Sequence, residues 1–172
     1  NHYFGSKEAL YTDCVDAMYE ELAGLENTLF EAISQDADPS DLVRRAVRAG
    51  FEFGRSHRPA IRLIMRSILD SGELEPRRRE EVLLPFLERT TSLIAQWSNR
   101  PPVSVRVGLQ SIVFLVVRFS LSSDDELAAI CGSSTAPERL ACTHLEDEAI
   151  LLLGLPSTPS LLSHPENAHG TR

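Results

Sequence analysis

The chain has 172 residues, of which 42% are hydrophobic and 24% charged, a composition that excludes collagen-like, low-complexity and wholly disordered proteins. Its 25 acidic and 17 basic side chains give a formal net charge of -8, so the overall field repels phosphate backbones. Any contact with nucleic acid must therefore come from a local feature. At this length we expect one domain with a substantial core.

The cysteine pattern and the N-terminal sequence indicate where in the cell the protein is expected. Three cysteines without C-x-x-C spacing are typical of a reducing compartment and predict neither a disulfide framework nor a zinc site. The sequence begins at Asn1 without the pattern of a signal peptide, and we expect a fragment of a longer, cytoplasmic protein. The most apolar run, 112–117, is far shorter than the ~20 residues that cross a bilayer, so we expect no membrane span.

Apolar residues recur at spacings of three and four, which predicts a series of helices. The first covers about 6–33, with Ser6 as its N-cap. Asp38 precedes the second, 39–57, because an aspartate cap followed by proline at the first helical position is a helix-start pattern. A third helix follows and ends before Gly72.

A fourth helix is predicted over 76–98, with a kink near Leu84 because Pro85 removes one backbone hydrogen bond and crowds the preceding turn. A fifth, 103–121, is apolar nearly all round and is therefore expected to be buried on most of its sides. The connector that follows is expected to hold a short helical turn over 126–130.

The last helix is predicted from a capping box, in which Thr135 caps the first turn and Glu138 returns the bond. It is expected to end at Gly154, and residues 156–172 form a C-terminal tail. Because no strand-like alternation competes with these patterns, the predicted fold class is all-α.

No sequence pattern of an enzyme is found. Paired E-x-x-H, phosphate-binding glycine loops and G-x-S-x-G are all missing from the sequence. His144 and Glu148, four residues apart, are interpreted as a solvated helix pair rather than a metal site. We expect neither an enzyme nor a bound metal or cofactor.

The most specific stretch is the first eleven residues, Asn-His-Tyr-Phe-Gly-Ser-Lys-Glu-Ala-Leu-Tyr. It resembles the segment Y/N-x-H-F-G-S-K-E-x-L that closes the recognition helix and opens the next helix in tetracycline-repressor-like (TetR family) transcriptional regulators. The positions that match are Phe4, Gly5, Ser6, Lys7, Glu8 and Leu10. His2-Tyr3 replaces the commoner Tyr-His order, so Tyr3 stands where family members use a histidine to contact DNA.

The resemblance implies a ligand-responsive, DNA-binding regulator, expected to be a repressor. Residues 1–5 would be the remnant of a helix-turn-helix domain whose other helices are absent from this sequence, and 6–155 the ligand-binding and dimerisation domain. In the family, several antiparallel helices enclose a ligand pocket, and the last two helices of each subunit form a dimeric four-helix bundle. The implied partners are a second copy of the chain, operator DNA bound through the absent domain, and a small effector.

Candidate site residues follow from this plan. Tyr3 and Lys7 are the candidates for DNA contact, Lys7 as a phosphate anchor. The pocket candidates are bulky residues that would favour an apolar or aromatic effector. They are Phe53, Met65, Phe86, Trp97 and Phe114. Ordinary core packing is the alternative for each of them, because aromatic residues at helical spacing usually just pack.

The dimer-interface candidates lie on the fifth and the last helices. They are Ser104, Gly108, Ser111, Leu115, Arg118, Leu145, Ala149 and Leu152. Arg118 needs a partner because an unpaired buried guanidinium is costly, and we expect a salt bridge to the acidic run 146–148, within one chain or across the dimer. An anchor for an anionic ligand is the alternative.

Other interpretations stay open. The arginine row Arg55, Arg58, Arg62, Arg66 and the cluster 77–79 are interpreted as solvated surfaces with local ion pairing and without function. In place of a regulator, the chain could be a helical-bundle carrier of small molecules or a dimerisation module without an effector.

Overall fold

The structure is a computed structural model that describes residues 7–32 and 38–156. The described residues form seven helices and no strand, which confirms the predicted all-α class. The first three helices are α1 (Lys7–Ala32), α2 (Pro39–Ser56) and α3 (Arg58–Ser71). Helix α4 consists of Pro76–Arg78, a π-helical turn Arg79–Leu83 and Leu84–Ile94. The last three are α5 (Pro102–Leu121), α6 (Asp124–Cys131) and α7 (Pro137–Leu153).

Most helix ends lie where local signals predict them. The Asp38 carboxylate accepts a hydrogen bond from the Asp41 amide at 3.2 Å, and Pro39 is the first residue of α2. Gly72 and Gly154 end α3 and α7 in the left-handed conformation, with φ of 81° and 67°. These predictions are confirmed because capping depends on residues close together in sequence.

Near Leu84, where a kink is predicted, the helix contains a widened turn. The Leu84 amide donates to the carbonyl of Arg79, five residues back, instead of four. Pro85, the next residue, has no amide hydrogen to offer the preceding turn. The π-helical turn accommodates the proline without ending α4.

The predicted capping box of the last helix is wrong. Helix α7 begins at Pro137, and its cap residue is Ala136, with φ 51° and ψ 50° and no side-chain hydrogen bond. Thr135 therefore lies one position outside the helix cap. Glu138 accepts a hydrogen bond from Arg55 of α2 instead, so a long-range charge pair replaces the local one.

The main core lies among α2, α4, α5 and α7. Helices α5 and α7 are antiparallel neighbours, since Ser98, just before α5, donates a hydrogen bond to the carbonyl of Leu153 at the end of α7. They approach closely at Gly108, where a Cβ atom would lie 3.0 Å from the Leu152 carbonyl. A smaller cluster, formed by Met18 of α1 with Ala60 and Ile61 of α3, joins α1 to the body.

The expectation that the fifth helix is buried on most sides is wrong for the single chain. Val105, Leu109 and Ile112 are buried, but Val103 and Val107 are 75% and 62% exposed. Helix α5 is also long and apolar enough to cross a membrane by length and composition, with 28% of that window buried. The apolar run 112–117, taken alone, is therefore much shorter than the apolar part of this helix. Core helices of soluble proteins meet the same length and composition criteria.

Candidate functional site

Exposed apolar residues lie on the sides of α5 and α7 that face away from the core. On α5 they form a stripe of Val103, Val107 and Phe114, spaced by four and seven residues. On α7 they form a stripe of Leu140 and Leu151, spaced by eleven. Both helices pack their opposite sides on the main core, so both stripes face away from it. We call these five residues the outer face.

The predicted interface residues divide between this surface and the core. Ser104 and Arg118 are exposed, and Ser111, Leu115 and Leu152 are half-buried. Gly108, Leu145 and Ala149 are buried within the chain, where Gly108 contacts α7 and the other two lie in the main core. Because Leu145 and Ala149 are 2% and 0% exposed, their side chains cannot meet a second chain, and their prediction as interface residues is corrected.

Arg118 has a different partner from the one predicted. Its guanidinium donates to the Glu126 carboxylate at 2.7 Å and to the Ser122 hydroxyl at 2.7 Å. Within the chain, Glu146 pairs instead with Arg48 and Asp147 with Arg44. The pairing of Arg118 with Glu126 raises the pKa of the guanidinium and lowers the pKa of the carboxyl group. The side chain is 59% exposed, so the anion anchor in a closed pocket is not found either.

The five predicted pocket residues do not line one cavity in this chain. Phe53 and Met65 pack against the small cluster beneath α1. Phe86 and Trp97 pack against the main core. Phe114 lies on the outer face, 47% exposed.

A cleft lies instead between α1 and α3. Its inner part is a cavity of about 40 Å³, with Val15 and Tyr19 of α1 and Ile68 of α3 among its lining residues. An open groove of about 480 Å³ adjoins it, because Tyr11 and Ser67 line both spaces. Sequence analysis missed this cleft, since it depends on how two helices cross rather than on any motif. We call the cavity and groove together the α1–α3 cleft.

Two arginines join the α2–α3 corner to the C-terminal end of α5. Arg55 donates to the Ser122 carbonyl at 2.9 Å and pairs with Asp124 and Glu138. Arg58 donates to two carbonyls at the same end of α5. The Arg55 side chain is 15% exposed, so the interpretation of this row as a solvated surface is wrong for these two residues. Pairing with Arg55 lowers the pKa of Asp124.

Helix α1 is attached to the body at several points. The His57 ring contacts the Glu21 carboxylate at 3.1 Å, and Arg89 contacts Glu26 at 3.2 Å. Arg78 pairs with Asp16 and lies over the Tyr19 ring, 4.7 Å from its centroid. These attachments span residues 16–26 of α1 and join it to α4 and to His57 between α2 and α3. Burial, followed by the Glu75 charge, raises the pKa of Tyr19.

The two DNA-contact candidates lie at the start of the sequence. Tyr3 lies outside the described residues. Lys7 is the first residue of α1, and its side chain lies outside the described atoms as well.

The described residues contain no metal-binding cluster, and one of the three cysteines is buried. Within 7–32 and 38–156, no group of three or more His, Cys, Asp or Glu side chains is arranged to hold a metal ion. Burial, with the neighbouring Glu146 carboxylate, raises the pKa of the Cys142 thiol to about 11. That cysteine is therefore a protonated core residue at neutral pH.

Comparisons with known proteins found no relative of this chain. No protein-family model, curated protein or solved structure matches the chain.

Proposed function

We propose that this chain is the sensor and dimerisation part of a ligand-responsive, DNA-binding transcriptional regulator of the TetR type, acting as a repressor. The observation that carries the proposal is the segment Asn1–Tyr11, which matches the end of a TetR-family recognition helix at six positions. This segment runs directly into α1, a helix of 26 residues. A long helix following the recognition helix is what such a regulator needs to join its DNA-reading part to its body.

The outer face supports the second element of the proposal, a homodimer. Exposed apolar patches rimmed by polar residues mark interaction sites. The polar neighbours here include Ser104, Arg118 and His144, all exposed. Two copies joined through this face would place four antiparallel helices in one bundle, with the buried faces of α5 and α7 unchanged. Such a dimer supplies two reading heads for two half-sites about 34 Å apart.

The connections of α1 suggest how a ligand would change DNA binding. Helix α1 contacts α3, and α3 is joined through Arg58 to the end of α5. A ligand that favours one position of α3 would therefore bias α1 and the dimer helix together. The resulting change in head separation would alter operator affinity, because both heads must fit the same DNA at once.

A second candidate is a dimerisation module without an effector. The observation that favours it is the size of the enclosed cavity, about 40 Å³, against 300–1,000 Å³ for typical ligand sites. In that case DNA binding would not respond to small molecules. The two candidates share the dimer and differ in the α1–α3 cleft.

The experiment that tests the proposed function is selection of DNA from a random-sequence library by the protein with its upstream residues. We expect enrichment of an inverted repeat whose half-sites lie one helical turn apart. Recovery of only sequence-independent, salt-sensitive binding would contradict the proposal. The 172-residue chain alone serves as the control and is expected to select nothing, because its net charge of -8 repels DNA.

A further inference from the structure

We propose that the α1–α3 cleft binds a small, uncharged, largely apolar molecule that enters the inner cavity past Tyr11 and Ser67. The regulatory meaning of this site rests on the proposed function, whereas binding itself does not. The inner cavity alone holds little more than a few water molecules. The adjoining groove is open to solvent and supplies the further space that a small molecule needs.

The lining of the cleft determines the polarity of the ligand. Apolar side chains of α1 and α3, together with Leu74 of the following loop, surround the inner cavity. The hydroxyl groups of Tyr11 and Ser67, at the boundary with the groove, can each donate or accept one hydrogen bond. This arrangement suits a hydrocarbon or aromatic body with a single neutral polar group at its middle or outer end.

The charges around the cleft already have partners on the protein, which favours an uncharged ligand. The charged lining residues are Arg66, Asp70, Glu75 and Arg78, two of each sign. Arg66 lies 3.8 Å from Asp70, and Arg78 pairs with Glu75 at 3.7 Å and with Asp16 of α1. Each arginine thus has an acidic partner on the protein. A ligand charge would enter without a free counter-ion and would be costly to bury.

The cleft lies beside the N-terminal part of α1, so a molecule bound there would contact this helix. Tyr11 lies four residues after the first residue of α1, at the end that follows Asn1–Ser6. A molecule seated between Tyr11 and α3 therefore lies beneath the first turns of α1. A ligand that fills the cavity would fix those turns against α3 and so act on the segment that resembles a recognition helix.

The test uses N-phenyl-1-naphthylamine, an uncharged dye that fluoresces in apolar surroundings, with the 172-residue chain. We expect saturable binding of one dye per chain, and weaker binding of the anionic dye anilinonaphthalene sulfonate. Ser67→Trp, which fills the boundary between cavity and groove, should raise the dissociation constant for the uncharged dye at least tenfold. The matched control Ser92→Trp, an exposed position on α4, should leave it unchanged.

A second pair of variants distinguishes loss of dye binding from loss of folding. Leu63→Lys places a charge on the groove wall at an exposed position, and Leu69→Lys places the same charge on α3 away from the cleft lining. We expect the first to weaken dye binding and the second to have no effect, with unchanged circular dichroism in both. Equal effects of the two lysines, or tighter binding of the anionic dye, would overturn the proposal.

The alternative occupant is the segment 1–6 of the chain itself. If that segment fills the cleft, a chain that begins at Lys7 will bind the dye more tightly, and the small-molecule site is overturned. We expect deletion of 1–6 to leave dye affinity unchanged. A chain that binds the dye at the cleft while the longer protein selects no DNA would refute the proposed function and leave the site standing.

Discussion

Arg58, the first residue of α3, donates a hydrogen bond from Nε to the backbone carbonyl of Ser120 at 2.9 Å. Its Nη2 donates to the carbonyl of Ser122 at 2.8 Å. The last carbonyls of a helix lack partners within the helix and carry the negative end of its dipole. One guanidinium therefore satisfies two carbonyls of α5 and fixes the α2–α3 corner against that helix.

Replacing Arg58 should weaken the whole body. We expect Arg58→Ala to lower the free energy of unfolding by about 1–3 kcal/mol, because hydrogen bonds to charged groups of this kind contribute that much. Urea denaturation measures the change. Arg62→Ala, at an exposed position one turn later, should change stability by less than about 0.5 kcal/mol. Equal losses for the two variants would show that the α5 carbonyls do not depend on Arg58.

Two glycines of the helices should respond in opposite directions to alanine. A Cβ on Gly54 of α2 would meet the Ser120 hydroxyl and would lie 2.7 Å from the Ser120 Cβ, whereas one on Gly24 of α1 would meet nothing within 4 Å. We expect Gly54→Ala to cost about 1–3 kcal/mol through overpacking. Gly24→Ala should stabilise by up to about 1 kcal/mol, because alanine is the better helix former. Thermal denaturation of both variants gives the signs, and stabilisation by Gly54→Ala would contradict the close approach of α2 to α5.

The Arg55–Asp124 pair predicts a pH dependence. The pKa of Asp124 is lower in the folded chain than its ordinary 3.8, chiefly because it accepts a hydrogen bond from Arg55. Its contribution to stability is therefore present above the unfolded pKa and is lost as the pH falls towards the folded pKa. We expect Asp124→Asn to be less stable than the wild type at pH 7 and similar to it near pH 3. Asp125→Asn, at the exposed neighbouring position, is the control. A stability difference for Asp124→Asn that is the same at both pH values would exclude a role for the ionised carboxylate.

The features predicted correctly are those decided by neighbours in sequence. Asp38 accepts from Asp41, three residues away, and Gly72 ends α3 because only glycine adopts its φ of 81° without strain. The disturbance at Pro85 likewise follows from one missing amide hydrogen. Each of these signals acts within about one helical turn, so tertiary packing did not alter it.

The features that were missed depend on distances that a sequence does not contain. Arg118 has acidic residues in several later segments, and the turn between α5 and α6 places Glu126 beside it. Glu138 pairs with Arg55, 83 residues earlier, and does not take part in a local cap. The outer face could be predicted in part from the sequence, because Val103, Val107 and Phe114 share one helical face. Their exposure depends on which side of α5 meets the core.

The mass of the chain in solution tests most directly whether the outer face joins two chains. Sedimentation equilibrium should give twice the 19.1 kDa of one chain. Val107→Glu, which places a charge on the outer face, should shift the mass to that of a single folded chain. Leu69→Glu, at an exposed position on α3, should remain a dimer. A wild-type chain that stays at 19.1 kDa at high concentration, or a Val107→Glu variant that dimerises as well as the wild type, would show that the outer face does not join two chains.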